Sequence, residues 1–176
     1  KMHIFLMAVT IKNYLEDIFR DSPSKLKVVN KMMLYGISVK NQRLYCNDVE
    51  IPYKSLGDAC GVDQRVIKST VIMISNDEFL SKIFSKLGAT VNLKDVSKDI
   101  GFGVVVISAT DSKEPGIIAA VSNVIADFNI NIIQAIIEDP EFIEEPKLYI
   151  ITEKPLPGEA LPKIKNLKNI KSITII

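Results

Sequence analysis

The sequence predicts an α+β protein of two domains, a mainly helical one over residues 1–98 and a mixed one over residues 99–176. Two observations carry this prediction. Short helical patterns and a β-rich segment fill the first half, whereas strand and helix patterns alternate regularly from residue 103 onward. With 176 residues the chain can hold one large domain or two small ones, and either can bury a core.

Charge is unevenly distributed between the two halves. The whole chain carries a formal net charge of +1. Residues 1–98 contain 15 Lys and Arg against 10 Asp and Glu, while residues 99–176 contain 7 against 11. A mildly basic first half is compatible with a polyanionic partner, and equally with an ordinary solvated surface.

Composition argues against several classes of protein. Apolar residues make up 47% and charged residues 24%, which is the balance of a folded globular chain. No window approaches the roughly 18 apolar residues of a membrane span, so we expect a cytoplasmic protein without a membrane partner. Cys46 and Cys60 lack the spacing of a zinc site or a disulfide framework, and we expect neither to have a chemical role.

Catalytic chemistry finds little support in the residue types. The only histidine, His3, lies in an apolar N-terminal segment, so a histidine-based triad has no base. The carboxylates of "EDPEFIEE", residues 138–145, cluster in a loop that is typical of a solvated turn. The chain has neither a GxGxxG motif nor a P-loop. We therefore expect no enzyme activity, no catalytic residue, no metal and no cofactor.

The first half begins with short helices and a hairpin. Apolar residues between Ile4 and Ile18 recur on one helical face, and a second helix is predicted from Ser24 to Gly36. The segment "ISVKNQRLYCNDVEI", residues 37–51, has two β-rich stretches around Asn41-Gln42 and predicts a small hairpin. Another amphipathic helix follows within residues 76–87.

A helix-turn-helix candidate lies in "KSLGDACGVDQRVIKSTVIMI", residues 54–74. Gly57 is small where two helices would cross, and Gly61 stands where a sharp turn would need a positive φ. This spacing resembles the helix-turn-helix motif, in which apolar side chains lock two helices together and a glycine makes the turn. The apolar positions of the pattern are Leu56, Cys60, Val62 and Ile67.

The resemblance to a helix-turn-helix implies which side chains would meet double-stranded DNA. The second helix, capped by Asp63, would present its first two turns to base edges or phosphates, and the start of the first helix would contact the DNA backbone. The residues assigned in this way are Lys54, Ser55, Gln64, Arg65 and Lys68. Asp58 and Asp63 would repel phosphates unless they face away, so a purely structural helical hairpin is the alternative. Residues 88–103 are interpreted as an extended linker that could include a short wing-like strand.

The second half follows a βαββαβ order. Strand and helix patterns alternate through "VVVISAT", residues 116–128, "INIIQAIIE", "KLYIITEK", "LPGEALPKIKNL" and "IKSITII". Two βαβ units joined in this way make a ferredoxin-like layer, with four antiparallel strands and both helices on one face.

Two of these strands are apolar on both faces. The first carries Val104 to Ile107 and the second carries the pairs Ile132-Ile133 and Ile136-Ile137, although the helices can cover only one face. A partner subunit or the first domain would have to cover the other face. We therefore expect a homodimer formed through this sheet.

The second half also resembles a known family. A strand, a charged loop with "EPGII" at residues 114–118, a helix with small residues and then "FNINI" at residues 128–132 are similar to the ACT domain, a small regulatory module that binds amino acids. The resemblance covers residues 103–176. It implies an amino acid effector held at the junction of the first loop and helix, often across a dimer interface. Many members of the family bind no ligand and serve in dimerisation, which is the alternative.

Carried over to this chain, the resemblance assigns six residues to the ligand. They are Asp111, Lys113, Glu114, Gly116, Ile117 and Asn131. Gly116 would let backbone amides approach a ligand closely, and the free N–H groups of the first helical turn would favour a carboxylate. Serine-binding members have His and Asn where Asp111 and Lys113 stand. Asp111 could therefore pair with an amino group, or it could shape the turn that precedes the helix.

These interpretations lead to one expected function and one alternative. The expected function is an amino-acid-responsive transcriptional regulator of amino-acid metabolism. The alternative is a regulatory subunit that does not bind DNA, senses an amino acid and acts on a partner enzyme.

Overall fold

A computed structural model of the chain describes residues 10–176, which divide into two units, the second of which begins at Val91. Each unit combines helices with an antiparallel sheet, so the predicted α+β class is confirmed. Ile4, at the predicted start of the first helix, and His3 lie outside the described residues.

The first unit packs short helices with a three-stranded antiparallel sheet of order β1-β2-β3. Its elements are α1 Ile11–Ile18, α2 Pro23–Tyr35, β1 Ile37–Lys40, β2 Arg43–Cys46, β3 Val49–Ile51, α3 Tyr53–Cys60, α4 Gln64–Asn76 and α5 Glu78–Phe84. The core includes the fully buried side chains of Phe19, just after α1, and of Met32, Ile67 and Phe84 on α2, α4 and α5. Burying each such side chain contributes about 1.5–3 kcal/mol relative to leaving it exposed.

Two predicted features of the first unit are confirmed. Helix α2 ends at Gly36, whose φ of 63° is left-handed and lets its N–H bond to the last carbonyls of the helix. The hairpin β1–β2 turns at Asn41 and Gln42, both with positive φ, as a tight two-residue turn requires. Strand β3 was not predicted as a separate element. It returns through a second tight turn, in which Asn47 has a φ of 55°.

The second unit has the predicted βαββαβ order. Its elements are β4 Gly103–Ala109, α6 Ile117–Asp127, β5 Ile132–Ile137, β6 Lys147–Thr152, α7 Ala160–Lys165 and β7 Ile170–Ile175. The sheet has the order β5-β6-β4-β7, and all neighbouring strands are antiparallel. One face packs on the two helices through buried residues such as Ile107, Val121, Ile150 and Ile164.

The other face of this sheet is covered by the segment that precedes β4. Val104 and Ile151 are completely buried on that face, and Leu93 and Phe102 pack against them. The side chain of Gln134 on β5 holds the segment in place: its Nε2 donates to the Val91 carbonyl at 2.7 Å, and its Oε1 accepts from Leu93 N at 3.0 Å. The chain therefore supplies part of the cover that the sequence argument assigned to another subunit or to the first domain.

This packing changes two details of the sequence interpretation. Residues 91–98, expected in the first domain, lie with the second unit because Gln134 and the apolar sheet face hold them there. The wing-like strand considered for residues 88–103 is absent from the described structure, in which no strand precedes Gly103 in that segment.

Replacing Gln134 with Ala removes both hydrogen bonds to the covering segment. We expect the second unit to lose about 1–3 kcal/mol of stability, because two backbone groups lose their partners and the apolar face opens to water. Hydrogen exchange of the β4 and β6 amides measures this loss separately from the first unit. Asn131→Ala is the matched control, because it removes an exposed amide whose side chain makes no hydrogen bond in the described structure. We expect it to change the exchange of these amides little. Equal protection in wild type and Gln134→Ala would contradict the role of this side chain.

Candidate functional site

Helices α3 and α4 form a close pair that depends on two glycines. A Cβ at Gly57 would lie 2.9 Å from the Val62 carbonyl oxygen, so the chain can return along α3 only because this position has no side chain. Gly61 ends α3 with a φ of 64°, which confirms the predicted positive φ. The N–H groups of Gly61 and Val62 donate to the Asp58 and Gly57 carbonyls at 3.1 and 3.0 Å.

Asp63 caps α4, as predicted. Its Oδ1 accepts a hydrogen bond from Arg65 N at 2.8 Å and another from Arg65 Nε at 2.9 Å. The Arg65 side-chain hydrogen bond, with the backbone hydrogen bond beside it, lowers the pKa of Asp63 below its ordinary value. The guanidinium offsets the negative charge that this carboxylate would present to DNA. Both side chains are exposed, so the pair contributes little to stability and Arg65 can leave it for another anion.

All five residues assigned to DNA are exposed on the first unit. They are Lys54 and Ser55 on α3 and Gln64, Arg65 and Lys68 on α4. The opposite face of α4 buries Ile67, Val71 and Ile74 in the core. Lys54 and Gln64 line one surface groove with a volume of about 460 Å³, so the structure brings the N-terminal ends of the two helices together.

The β1–β2 hairpin also contributes to this groove, which the sequence analysis did not anticipate. Gln42 and Arg43 line it with Tyr53, whose hydroxyl donates to the Gln42 carbonyl oxygen. Burial raises the pKa of the Tyr53 hydroxyl. The hairpin was visible in the sequence, but its position beside α3 depends on tertiary packing that no local pattern encodes.

In the second unit, the loop between β4 and α6 is shaped by its own residues. Asp111 Oδ1 accepts from Lys113 N at 2.9 Å, and the Asp111 carbonyl accepts from Glu114 N at 3.3 Å. Of the two roles open to Asp111, the described structure shows the turn-forming one. Glu114 pairs with Lys168 Nζ at 3.4 Å, which ties the loop to the segment between α7 and β7.

A cavity of about 500 Å³ opens beside this loop. It lies among the first turn of α6, the end of β4, the start of β6 and the loop that follows β5. Most of its lining is aliphatic: Ile107, Ala109, Pro115, Ile117, Ile118, Ala119, Ile137, Pro140, Pro146 and Leu148. Its polar lining consists of Ser112, Glu114, Glu138 and Lys147, with the backbone of Gly116.

The cavity takes in only part of the residue set assigned to a ligand. Glu114, Gly116 and Ile117 line it, whereas Asp111 and Lys113 are outside its lining. Asn131 is at the other end of the sheet. The reason is strand direction: β4 and β5 both run antiparallel to β6, so the start of β5 lies beside the start of β4, away from the loop after Ala109. Within one chain, Asn131 does not share a pocket with that loop.

The charged groups at the cavity differ in their partners. The Glu138 carboxylate already accepts two hydrogen bonds, from Lys147 N at 3.1 Å and from the Tyr149 hydroxyl at 3.3 Å. Glu114 is paired with Lys168. Lys147 has no ion pair among residues 10–176, and its side chain lies on the sheet face of Tyr149, opposite the cavity, because neighbouring residues of a strand alternate between faces. Gly116, with a φ of 95°, precedes α6 without a side-chain cap, so the first N–H groups of α6 have no side-chain acceptor from the capping residue. The first turn of α6 therefore has N–H groups available to an acceptor in the cavity.

Two further observations concern the part of the chain that the structure describes. No cluster of three or more His, Cys, Asp or Glu side chains there is arranged to hold a metal ion. None of the helices described combines the length and the apolar character that a membrane crossing requires.

Comparisons with known proteins find similarity to solved structures. No family model matches the chain, and no curated protein matches it. The chain is similar to a solved structure described as "Gly102Thr mutant of Rv3291c", with 14% sequence identity and a TM-score of 0.28. The alignment covers 86% of this chain and 89% of that chain.

Proposed function

We propose that this protein is an amino-acid-responsive DNA-binding regulator. In this proposal the first unit binds double-stranded DNA through α3 and α4, and the second unit is an ACT-like domain that binds a small amino acid. The observation that carries the proposal is the α3–α4 pair. Its left-handed turn at Gly61 and its exposed polar end with Gln64, Arg65 and Lys68 have the arrangement of a helix that enters a major groove.

Electrostatics supports DNA as the partner of the first unit. The exposed end of α4 carries Arg65 and Lys68, and Lys54 adds a third cation at the start of α3. Asp63, the carboxylate that caps α4, already accepts hydrogen bonds from Arg65. Phosphates can draw Arg65 away from this exposed pair at small cost, because surface ion pairs contribute only about 0–1 kcal/mol.

The cavity of the second unit supports an amino acid as the effector. Its walls are mainly aliphatic, while the first turn of α6 offers N–H donors to a carboxylate. An apolar pocket with a few polar groups is the ordinary form of a small-molecule site. We therefore expect the effector to be an amino acid with an aliphatic side chain.

A homodimer belongs to the same proposal. The edge strand β5 exposes Ile133 and Ile137, the latter with 60% of its surface accessible, and these side chains would gain from contact with a second copy. Effector binding to such a dimer would change the spacing of two recognition helices and hence the affinity for two half-sites.

One observation favours the alternative function. In the described structure Arg65 is engaged with Asp63, which leaves Lys54 and Lys68 as the unpaired cations of the α3–α4 surface. A regulatory subunit that binds an enzyme through this surface, and does not bind DNA, would fit the same geometry.

Replacing Arg65 and Lys68 together with Ala should weaken binding to duplex DNA. Log affinity falls as log salt rises, and each lost phosphate contact makes this slope shallower by about 1. Fluorescence anisotropy with a labelled duplex over a salt series measures both quantities. The matched control is Lys82→Ala with Lys86→Ala, which removes the same charge from exposed positions on and after α5. Absence of salt-dependent affinity in the wild type, or equal loss in both double variants, would contradict DNA binding by α4.

Aliphatic amino acids should selectively raise the melting temperature in a thermal-shift screen of the standard amino acids. A ligand at a hundredfold excess over its Kd stabilises the folded state by about 2.7 kcal/mol. Ile118→Asp places a carboxylate in the cavity and should abolish the shift, because it repels the ligand carboxylate. Ile100→Asp changes an exposed isoleucine of the same unit that is outside the cavity lining and should preserve the shift. An amino acid whose effect survives Ile118→Asp would bind elsewhere.

A further inference from the structure

The groove at the start of α4 is built from four elements of the first unit. Gln42 and Arg43 come from the β1–β2 hairpin, Glu50 and Ile51 from β3, Tyr53 and Lys54 from α3, and Gln64 from α4. The hairpin and the two helix ends line this one groove, whose volume is about 460 Å³. A duplex that meets Lys54 and Gln64 would therefore also meet the hairpin.

The hairpin is held firmly in that position. Its two-residue turn is tight: Asn41 and Gln42 both have left-handed backbone conformations, and Lys40 pairs directly with Arg43. The Tyr53 hydroxyl donates to the Gln42 carbonyl, which ties the turn to the first residue of α3. Leu44, buried to 1% exposure, anchors β2 in the core just after the turn. The turn and the N-terminal end of α4 therefore belong to one preformed surface.

The charges on the turn suit a phosphate backbone. Lys40 and Arg43 flank the turn and are exposed. Arg43 Nη1 lies 2.9 Å from Glu50 Oε2, with 63% of the arginine side chain and 50% of the glutamate side chain accessible to solvent. An ion pair that is so exposed is weak, so a phosphate oxygen can take the place of Glu50.

We propose that the β1–β2 turn, Lys40 to Arg43, is a second DNA-contacting element. It would bind the phosphate backbone beside the major groove of DNA that α4 enters. The inference rests on the proposed DNA-binding function and extends it to residues outside the helix pair. The turn adds two cations to the few that α4 itself presents. Glu50 holds Arg43 in the free protein and competes with phosphate for it.

The inference predicts opposite effects for neighbouring substitutions. Lys40→Ala and Arg43→Ala should each lower duplex affinity several-fold at low salt and reduce the salt slope by about 1, because each removes one phosphate contact. Glu50→Gln should raise the affinity, because it frees Arg43 and removes a negative charge from the surface. A gain in affinity cannot come from a variant that has failed to fold.

The test uses the full chain and random-sequence duplexes of about 30 base pairs, which report the phosphate contacts without a known operator. Lys86→Ala is the matched control for the lost cations, and Glu78→Gln is the control for the lost carboxylate. Both controls lie outside the groove and are exposed. Wild-type affinity in both controls, with a loss in Lys40→Ala and Arg43→Ala and a gain in Glu50→Gln, would support the inference.

Two results would overturn it, and they differ in what they leave standing. If Arg65→Ala with Lys68→Ala weakens binding while the Lys40, Arg43 and Glu50 variants match the wild type, the hairpin inference is wrong and DNA binding by α4 stands. If the wild type shows no salt-dependent affinity for duplex DNA, the proposed function and the hairpin inference both fall.

Discussion

The central strands β4 and β6 impose the main constraint on the second unit, because both are apolar on both faces. Ile107 and Ile150 face the helices, while Val104 and Ile151 face the other way and are equally buried. A sheet of this kind is stable only when something covers each side. Helices α6 and α7 cover one face, and residues 91–102 contribute to the cover of the other. The polar side chain of Gln134 matters because it holds that segment through two backbone hydrogen bonds.

In the first unit the corresponding constraint is the turn between α3 and α4. Gly57 allows the close return of the chain and Gly61 supplies the left-handed residue, so the first turn of α4 starts in a fixed position beside α3. The hydroxyl of Tyr53 then fixes the β1–β2 turn against the same helix. Three short elements thus present their polar ends on one side, while their apolar residues join the core. We propose that DNA binds on this side of the first unit.

Features set by neighbouring residues could be predicted from the sequence. The positive φ of Gly61, the capping role of Asp63 and the turn at Asn41-Gln42 each depend on a few adjacent side chains, and the βαββαβ order follows from hydrophobic periodicity. Long-range features could not be predicted. The bonds of Gln134 to a distant segment require the folded sheet, and the placement of Asn131 away from the ligand loop depends on the relative directions of β4 and β5. For this reason only three of the six residues assigned to a ligand, Glu114, Gly116 and Ile117, line the candidate cavity.

We propose that one chain couples an amino acid to a DNA duplex, and a binding cycle measures this coupling. Duplex affinity is measured with and without the amino acid that stabilises the protein, and the affinity for that amino acid is measured with and without the duplex. Linkage requires the two ratios to be equal, and a typical coupling corresponds to a factor of about 5–150. We expect both ratios to lie in this range. Duplex affinity that stays the same at saturating amino acid would contradict it.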